Sequence, residues 1–361
     1  MFRKGTVPAQ GEHGDFDVQW WTRRGFFGSY AVLYKTRNPG DALRWEEGLG
    51  PAAVDTAKLR PADMDQPDGR PLPVITNGDI TILVSKRAAA MAACWRNSDA
   101  DELFFIDRGR CRFETEFGVL EAQPGDLVFL PRNVIYRTVP LTPDTLHVIL
   151  ETRPFLESAD AYHREHGEAA HGLNMSAIEV PEPWTNPNGD QSRYEVHTKI
   201  EGRVLTSTFD FDPVGVTVGW AGDPIVFKLS AWDVPCASLP SSPPTAAVFM
   251  TDDKEAMVTV HTPMRGPGGS GGPPAHTNDY DELWFQHAPD GVGDGRAGLL
   301  RWDPQGATQP GGRPRQRPGE APPGPGSKRL NFNIDVRHRM HFTPEVRPLI
   351  VEERAGVLTT A

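Results

Sequence analysis

The residues best suited to chemistry are His276 and Glu282, in the stretch His276-Thr-Asn-Asp-Tyr-Asp-Glu282. The histidine stands on a turn-like segment, and the glutamate opens a β-rich run six positions later. An imidazole and a carboxylate from adjoining segments can converge on one cation and leave positions free for substrate or dioxygen, as in sites of two histidines and one carboxylate. Among 11 histidines and 48 acidic residues such a spacing also arises by chance. Position strengthens it, because the Gly/Pro-rich GPGGSGGPPAH leads into a strand, where the mouth of a barrel would lie. Other chemistries lack their motifs: the chain has no GxSxG nucleophile elbow and no GxxxxGK phosphate loop.

Two series of β-rich runs must position these residues. From Val74 to Glu151 the runs DITILVS, ELFFIDRGRCRFET, FGVLEAQPGDLVFLP and TLHVILET are separated by turn residues, the spacing of a sandwich or barrel. CRFETEFG partly alternates, whereas LVFLP is continuously apolar, which predicts one half-exposed and one wholly buried strand. Pro124-Gly125-Asp126 predicts a tight reversal, and Pro131 a strand end. A short helix is predicted over Phe155 to Gly172, followed by a connector in VPEPWTNPNGDQSR. The second series includes YEVHTKI, VLTSTFDF, ELWFQHA and LNFNIDV, with a mobile loop predicted from Gly311 to Lys328. ADELFFIDRGRCRFET and GDLVFLPRNVIY have counterparts in YDELWFQHAPDG and GLLRWDPQGATQ, which reads as an internal duplication. Strand alternation places Phe105 and Phe285 opposite in face to Phe104 and Trp284.

Bulk properties narrow the function. The 361 residues can bury two cores, and a formal charge of −11 argues against a nucleic-acid partner. Cys94, Cys111 and Cys236 are too few for a disulfide framework and form no CxxC pair, which predicts a reducing compartment. Neither a secretory leader nor an apolar run long enough to span a membrane is present, so a soluble cytoplasmic protein without membrane partners is expected.

The paired segments resemble cupin motifs, and WRNSDADELFFIDRGRCRFETEFGVLEAQPGD, EVHTKIEGRVL and PPAHTNDYDELWF resemble the homogentisate 1,2-dioxygenase family, in that order. The resemblance spans roughly residues 75 to 355. It implies an all-β double-stranded β-helix, a bicupin of two jelly-roll barrels joined by a short helical connector. The expected division is an N-terminal barrel over 1–160, a connector over 161–192 and a C-terminal barrel over 193–361. It further implies a non-haem iron(II), held by two histidines and a glutamate in the C-terminal barrel, that cleaves a dihydroxylated aromatic ring with O2. Another divalent metal would also suit such ligands.

On that resemblance His276 and Glu282 match the family's H-x5-E motif. The position of its second histidine falls in Pro304-Gln-Gly306-Ala-Thr-Gln309, so Gln309 becomes the third ligand candidate, a neutral amide that binds iron(II) more weakly than imidazole. His287, His338 and His341 are the alternatives. Ser241 or Ser242 stands where the family has an acid/base histidine, and PPAH lacks the tyrosines the family places just before its metal-binding histidine. In the first barrel the equivalent positions read Asn97, Asp99, Glu102 and Tyr136, which predicts a structural role. Trp284, Trp302 and Ser241 are the substrate-pocket candidates.

The expected partners are a small-molecule substrate, O2 and further copies of the chain in a homo-oligomer. Three functions compete: an iron-dependent dioxygenase-like oxidoreductase acting on an aromatic or other small organic substrate; a cupin doing isomerase, cyclase or lyase chemistry with a weakly bound metal or none; and a non-catalytic small-molecule binder.

Overall fold

The computed structural model describes residues 17–22, 30–37, 46, 50–159, 177–185, 192–234, 245–261, 275–277, 279–288, 298–305, 308–309, 330–354 and 357–360. The first half contributes β1 (Asp17–Thr22), β2 (Tyr30–Lys35), β3 (Ala52–Asp55), β4 (Leu72–Thr76), β5 (Ile80–Ser85), β6 (Cys94–Asn97) and β7 (Asp101–Arg108). It continues through β8 (Cys111–Thr115), β9 (Gly118–Ala122), β10 (Asp126–Leu130), β11 (Ile135–Pro140), β12 (Leu146–Thr152), β13 (Leu156–Ser158) and β14 (Ile178–Glu179). The second half contributes β15 (Tyr194–Ile200), β16 (Arg203–Phe209), β17 (Phe227–Ser230), β18 (Thr245–Thr251), β19 (Ala256–His261), β20 (Ala275–Thr277) and β21 (Asp281–His287). β22 (Leu299–Asp303), β23 (Thr308–Gln309), β24 (Leu330–Val336), β25 (His341–Phe342), β26 (Ile350–Arg354) and β27 (Val357–Thr360) complete it.

Among the described residues these strands form four sheets. The first barrel pairs an eight-stranded sheet, β14-β17-β10-β7-β12-β5-β4-β25, with a six-stranded one, β16-β15-β6-β11-β8-β9. In the second barrel a nine-stranded sheet, β13-β18-β19-β24-β21-β22-β3-β26-β27, has the four-stranded β2-β1-β20-β23 as its smaller counterpart. The two large sheets pack back to back. Leu103, Phe105, Val148 and Leu150 meet Leu283, Phe285, Phe332 and Ile334 in one shared core, where Phe105 stacks on Phe332 at 4.9 Å.

Burial on both faces explains why ELFFI is apolar without interruption. Leu103 and Phe105 enter the shared core, while Phe104 and Ile106 point into the first barrel and join Phe113, Leu120, Val128 and Ile149. The predicted reversal at Pro124-Gly125-Asp126 is also present. Gly125 has φ +93°, and a Cβ there would lie 2.2 Å from the Trp232 indole nitrogen.

The expected division of the chain does not coincide with the strand pairing. Each half consists of a hairpin, a single strand and a barrel body, and the hairpin and strand of each half join the other half's barrel. β1 runs parallel to β20 and β3 pairs with β22, whereas β15 runs parallel to β6 and β17 pairs with β10. EVHTKIEGRVL, placed by sequence in the second barrel, is thus the β15–β16 hairpin of the first. The edges are exchanged as well: β13 caps β18 and β25 caps β4.

The predicted helix over 155–172 is not formed at its start, where Leu156–Ser158 pairs as a strand with β18. Its amide at Leu156 is held by the Asp101 carboxylate at 2.8 Å, an anchor in a distant turn that local helical propensity does not register. Residues 160–176 and the predicted loop 311–328 lie outside the described residues.

Candidate metal centre

The outward faces of the two large sheets differ in chemistry. In the first barrel Phe104, Ile106, Val128, Leu130 and Ile149 make most of the interior apolar, with Glu102 and Glu151 buried at one end of the same face. The matching face of the second barrel carries Glu282, Trp284 and Gln286 from β21, Arg301 and Asp303 from β22, and Asn333 and Asp335 from β24. Glu282, Asn333, Asp335 and Asp303 are all buried. Strand alternation creates this face, since Leu283, Phe285, Phe332 and Ile334 take the intervening positions in the shared core.

Glu282 sits in the middle of a carboxylate row, opposite Asp335 on β24 and Asp303 on β22. Asn333 Nδ2 donates to Glu282 Oε1 at 3.2 Å, and Arg301 donates to Asp303 at 2.9 Å. Asp335 is fully buried, and neither of its carboxylate oxygens has a hydrogen-bond partner among the described residues. Burial, then the Glu282 charge, push its carboxyl well above the ordinary carboxylate range. Two acidic groups side by side in a dry interior, one without a hydrogen bond, are a costly arrangement that a bound cation would offset. The donor set therefore fits a divalent metal, although among the described residues no three His, Cys, Asp or Glu side chains form a complete cage.

The preceding Asp281 explains why Glu282 is held where it is. Its carboxylate accepts from Trp302 Nε1 at 2.8 Å, from the Gln305 amide at 2.9 Å and from the Met340 amide at 2.7 Å. Asp101 plays the same part before Glu102 in the first barrel, accepting from the Arg132 amide at 2.9 Å and the Leu156 amide at 2.8 Å. The duplicated Asp-Glu-Leu is thus a structural post followed by an inward carboxylate.

His276 and Gln309 are direct partners across β20 and β23, so the ladder brings together two positions that are well separated in sequence. Their side chains, and all of Ser241, lie outside the described residues. Trp284 is half-buried on the polar face. Trp302 is not: its ring lies in the shared core, 5.6 Å from Phe342, and its nitrogen is bound to Asp281, which removes it from the pocket.

The alternative histidines are also displaced. His287 falls on the opposite face of β21 from Glu282, where its Nδ1 meets Asp107 Oδ1 at 2.8 Å between the barrels. His338 pairs with Glu255 at 2.6 Å, with its side chain 71% exposed, and His341 is exposed on the edge strand β25. Asp335 was missed by sequence reasoning, since only pairing across β21 and β24 sets it beside Glu282.

The chain is an all-β double barrel of the bicupin kind, with inward carboxylates in both barrels and the broader buried polar face in the second. More narrowly, residues 72–230 match the family model for the homogentisate 1,2-dioxygenase N-terminal region. It is 26% identical over 247 residues to a Saccharolobus solfataricus protein assigned by name to the dioxygenases, covering 63% of this chain and 62% of that one. It is also 26% identical over 140 residues to homogentisate 1,2-dioxygenase of Homo sapiens, covering 37% of this chain and 29% of that enzyme. The chain therefore spans less than two thirds of the curated relatives it matches here. Among solved structures, one described as a glyoxylate-induced protein from Pseudomonas aeruginosa overlaps 85% of this chain and 96% of its own, at 12% identity and a TM-score of 0.40.

Proposed function

We propose that this protein is a dioxygenase-like bicupin enzyme that holds a divalent metal, iron(II) in the first instance, through His276 and Glu282, with Gln309 the third candidate from sequence. Its substrate is an aromatic of the catechol or hydroquinone kind, or another small organic molecule, and its co-substrate is O2. The observation that carries this reading is the buried polar face of the second barrel, centred on Glu282, in a chain whose curated relatives bear dioxygenase names. When bound, such a metal supplies adjacent positions for substrate oxygen atoms and O2 and a route for electrons between them. The chain's own residues do the rest: Asn333 Nδ2 fixes the Glu282 carboxylate, Arg301 restrains Asp303, and the Trp284 ring offers an apolar wall against which a flat substrate can lie. A soluble cytoplasmic homo-oligomer is part of the same reading.

Gln309 and Ser241, standing where the resemblance implies histidines, favour a second reading in which the metal serves as a Lewis acid for isomerase, cyclase or lyase chemistry. Oxygen uptake by the anaerobically iron-reconstituted protein separates the two. The first reading predicts consumption of O2 with at least one member of a catechol and hydroquinone panel, abolished in Glu282→Ala. Metal-loaded protein that consumes no O2 with any member would contradict it.

A further inference from the structure

The first barrel contains the same carboxylate pair as the second, and there it is complete. Glu102 and Glu151 face each other across β7 and β12 at the ladder positions that Glu282 and Asp335 occupy across β21 and β24. The first pair is satisfied from within the protein. The Lys199 ammonium binds Glu151 Oε1, Asn97 Nδ2 donates to Glu151 Oε2 at 2.9 Å, and the Tyr136 hydroxyl donates to Glu102 Oε2 at 3.0 Å.

Of these partners the second pair keeps by sequence only the asparagine, Asn278 standing two positions after His276 as Asn97 stands two after Trp95. His197 and Tyr136 flank Trp95 as Trp20 and Gln309 flank His276, so Thr22 stands at the ladder position of Lys199, and Gln309 at that of Tyr136. Threonine cannot supply a positive charge. Among the described residues Asp335 is left fully buried with both oxygens unpartnered, and the neighbouring Asn333 Oδ1 is buried and unpartnered as well. In one barrel a lysine meets the carboxylate pair; in the other Arg301 binds Asp303, and Asp335 has no hydrogen-bonded cation among the described residues.

We infer that Asp335, and not the Gln309 amide, is the third protein ligand of the cation in the second barrel, forming with His276 and Glu282 a set of one histidine and two carboxylates. This rests on the reading above that a metal is held at His276 and Glu282. An oxygen-rich set selects a hard or intermediate divalent ion, manganese(II) or iron(II), over the softer preferences of thiolate sites.

The test is titration calorimetry of metal-stripped full-length protein with manganese(II), together with thermal melts of metal-free and loaded forms. Wild type is expected to bind one equivalent, and Asp335→Asn to bind at least tenfold more weakly. Metal-free Asp335→Asn is expected to melt above metal-free wild type, because it no longer buries an unpaired carboxylate, and to show little further rise with metal. His341→Ala, on an exposed edge, should bind as wild type does. If the amide variant fails to fold, Asp335→Ser carries the same expectation. Unchanged affinity in these variants beside a binding wild type would overturn the assignment of Asp335, as a proton shared with Glu282 in place of a cation would require, and leave the metal reading standing. No binding by wild type would remove both.

Discussion

Glu102 shows what an inward carboxylate costs when it is buried beside a second one. Burial, reinforced by the Glu151 charge, pushes its carboxyl up to about 7 from an ordinary value of 4.5. Between those values the folded chain keeps a proton that the unfolded chain has released. The resulting stabilisation is complete below 4.5, declines as the pH rises and is gone above about 7. His147 in the same barrel acts with the opposite sign: burial lowers it to about 4 from 6.5, so stability falls as the pH drops through that window. Glu102→Gln keeps an acceptor for Tyr136 and removes only the first effect. In urea unfolding across this range, the variant is predicted to gain on wild type by on the order of 3 kcal/mol between the lower and upper limits. Parallel pH profiles would contradict it. Glu282 was legible in sequence because Asp-Glu-Leu recurs in both halves, and the expected opposition of Phe105 and Phe285 to Phe104 and Trp284 holds, although sequence left open which of each pair enters the shared core. Asp335 was not legible, because its significance lies in a partner across the sheet and in a lysine absent from the counterpart position. Trp302 was misjudged for a related reason, since strand parity there runs toward the core.

At the scale of elements, the exchange of hairpins ties the two halves together more closely than a connector would. β1, β2 and β3 belong to the first half by sequence and to the second barrel by pairing, and β15, β16 and β17 have the reverse allegiance. A barrel made from one half alone would expose the edges of β20 and β22, or of β6 and β10, and exposed edges associate indiscriminately. Residues 1–185 and 186–361 produced separately are therefore predicted to remain insoluble or to melt without cooperativity. Produced together, they are predicted to reassemble into a soluble complex, visible by size-exclusion chromatography. A sharp melt from either half alone would refute the exchange. The duplication was readable in sequence, but the exchange was not, because strand composition says nothing about which barrel a strand joins. The same limit produced the expected helix after Phe155, where a three-residue strand capping β18 took precedence.

For the whole molecule, the shared core makes the barrels one cooperative unit. Phe105 lies at its centre, stacked on Phe332 and edge-on to Phe285 at 6.1 Å. Phe105→Ala is predicted to cost about 3–5 kcal/mol and to lower a single unfolding transition, where two independent barrels would give two. Among the described residues no helix is long and apolar enough to cross a membrane. The all-β class agrees with the resemblance, and in the first barrel an internal lysine meets the carboxylate pair. On the proposed reading, the second barrel holds a metal through His276 and Glu282. Metal content measured on protein purified and iron-reconstituted without oxygen tests it most directly: the prediction is one metal per chain in wild type and little or none in His276→Ala, and wild type that retains no metal would contradict it.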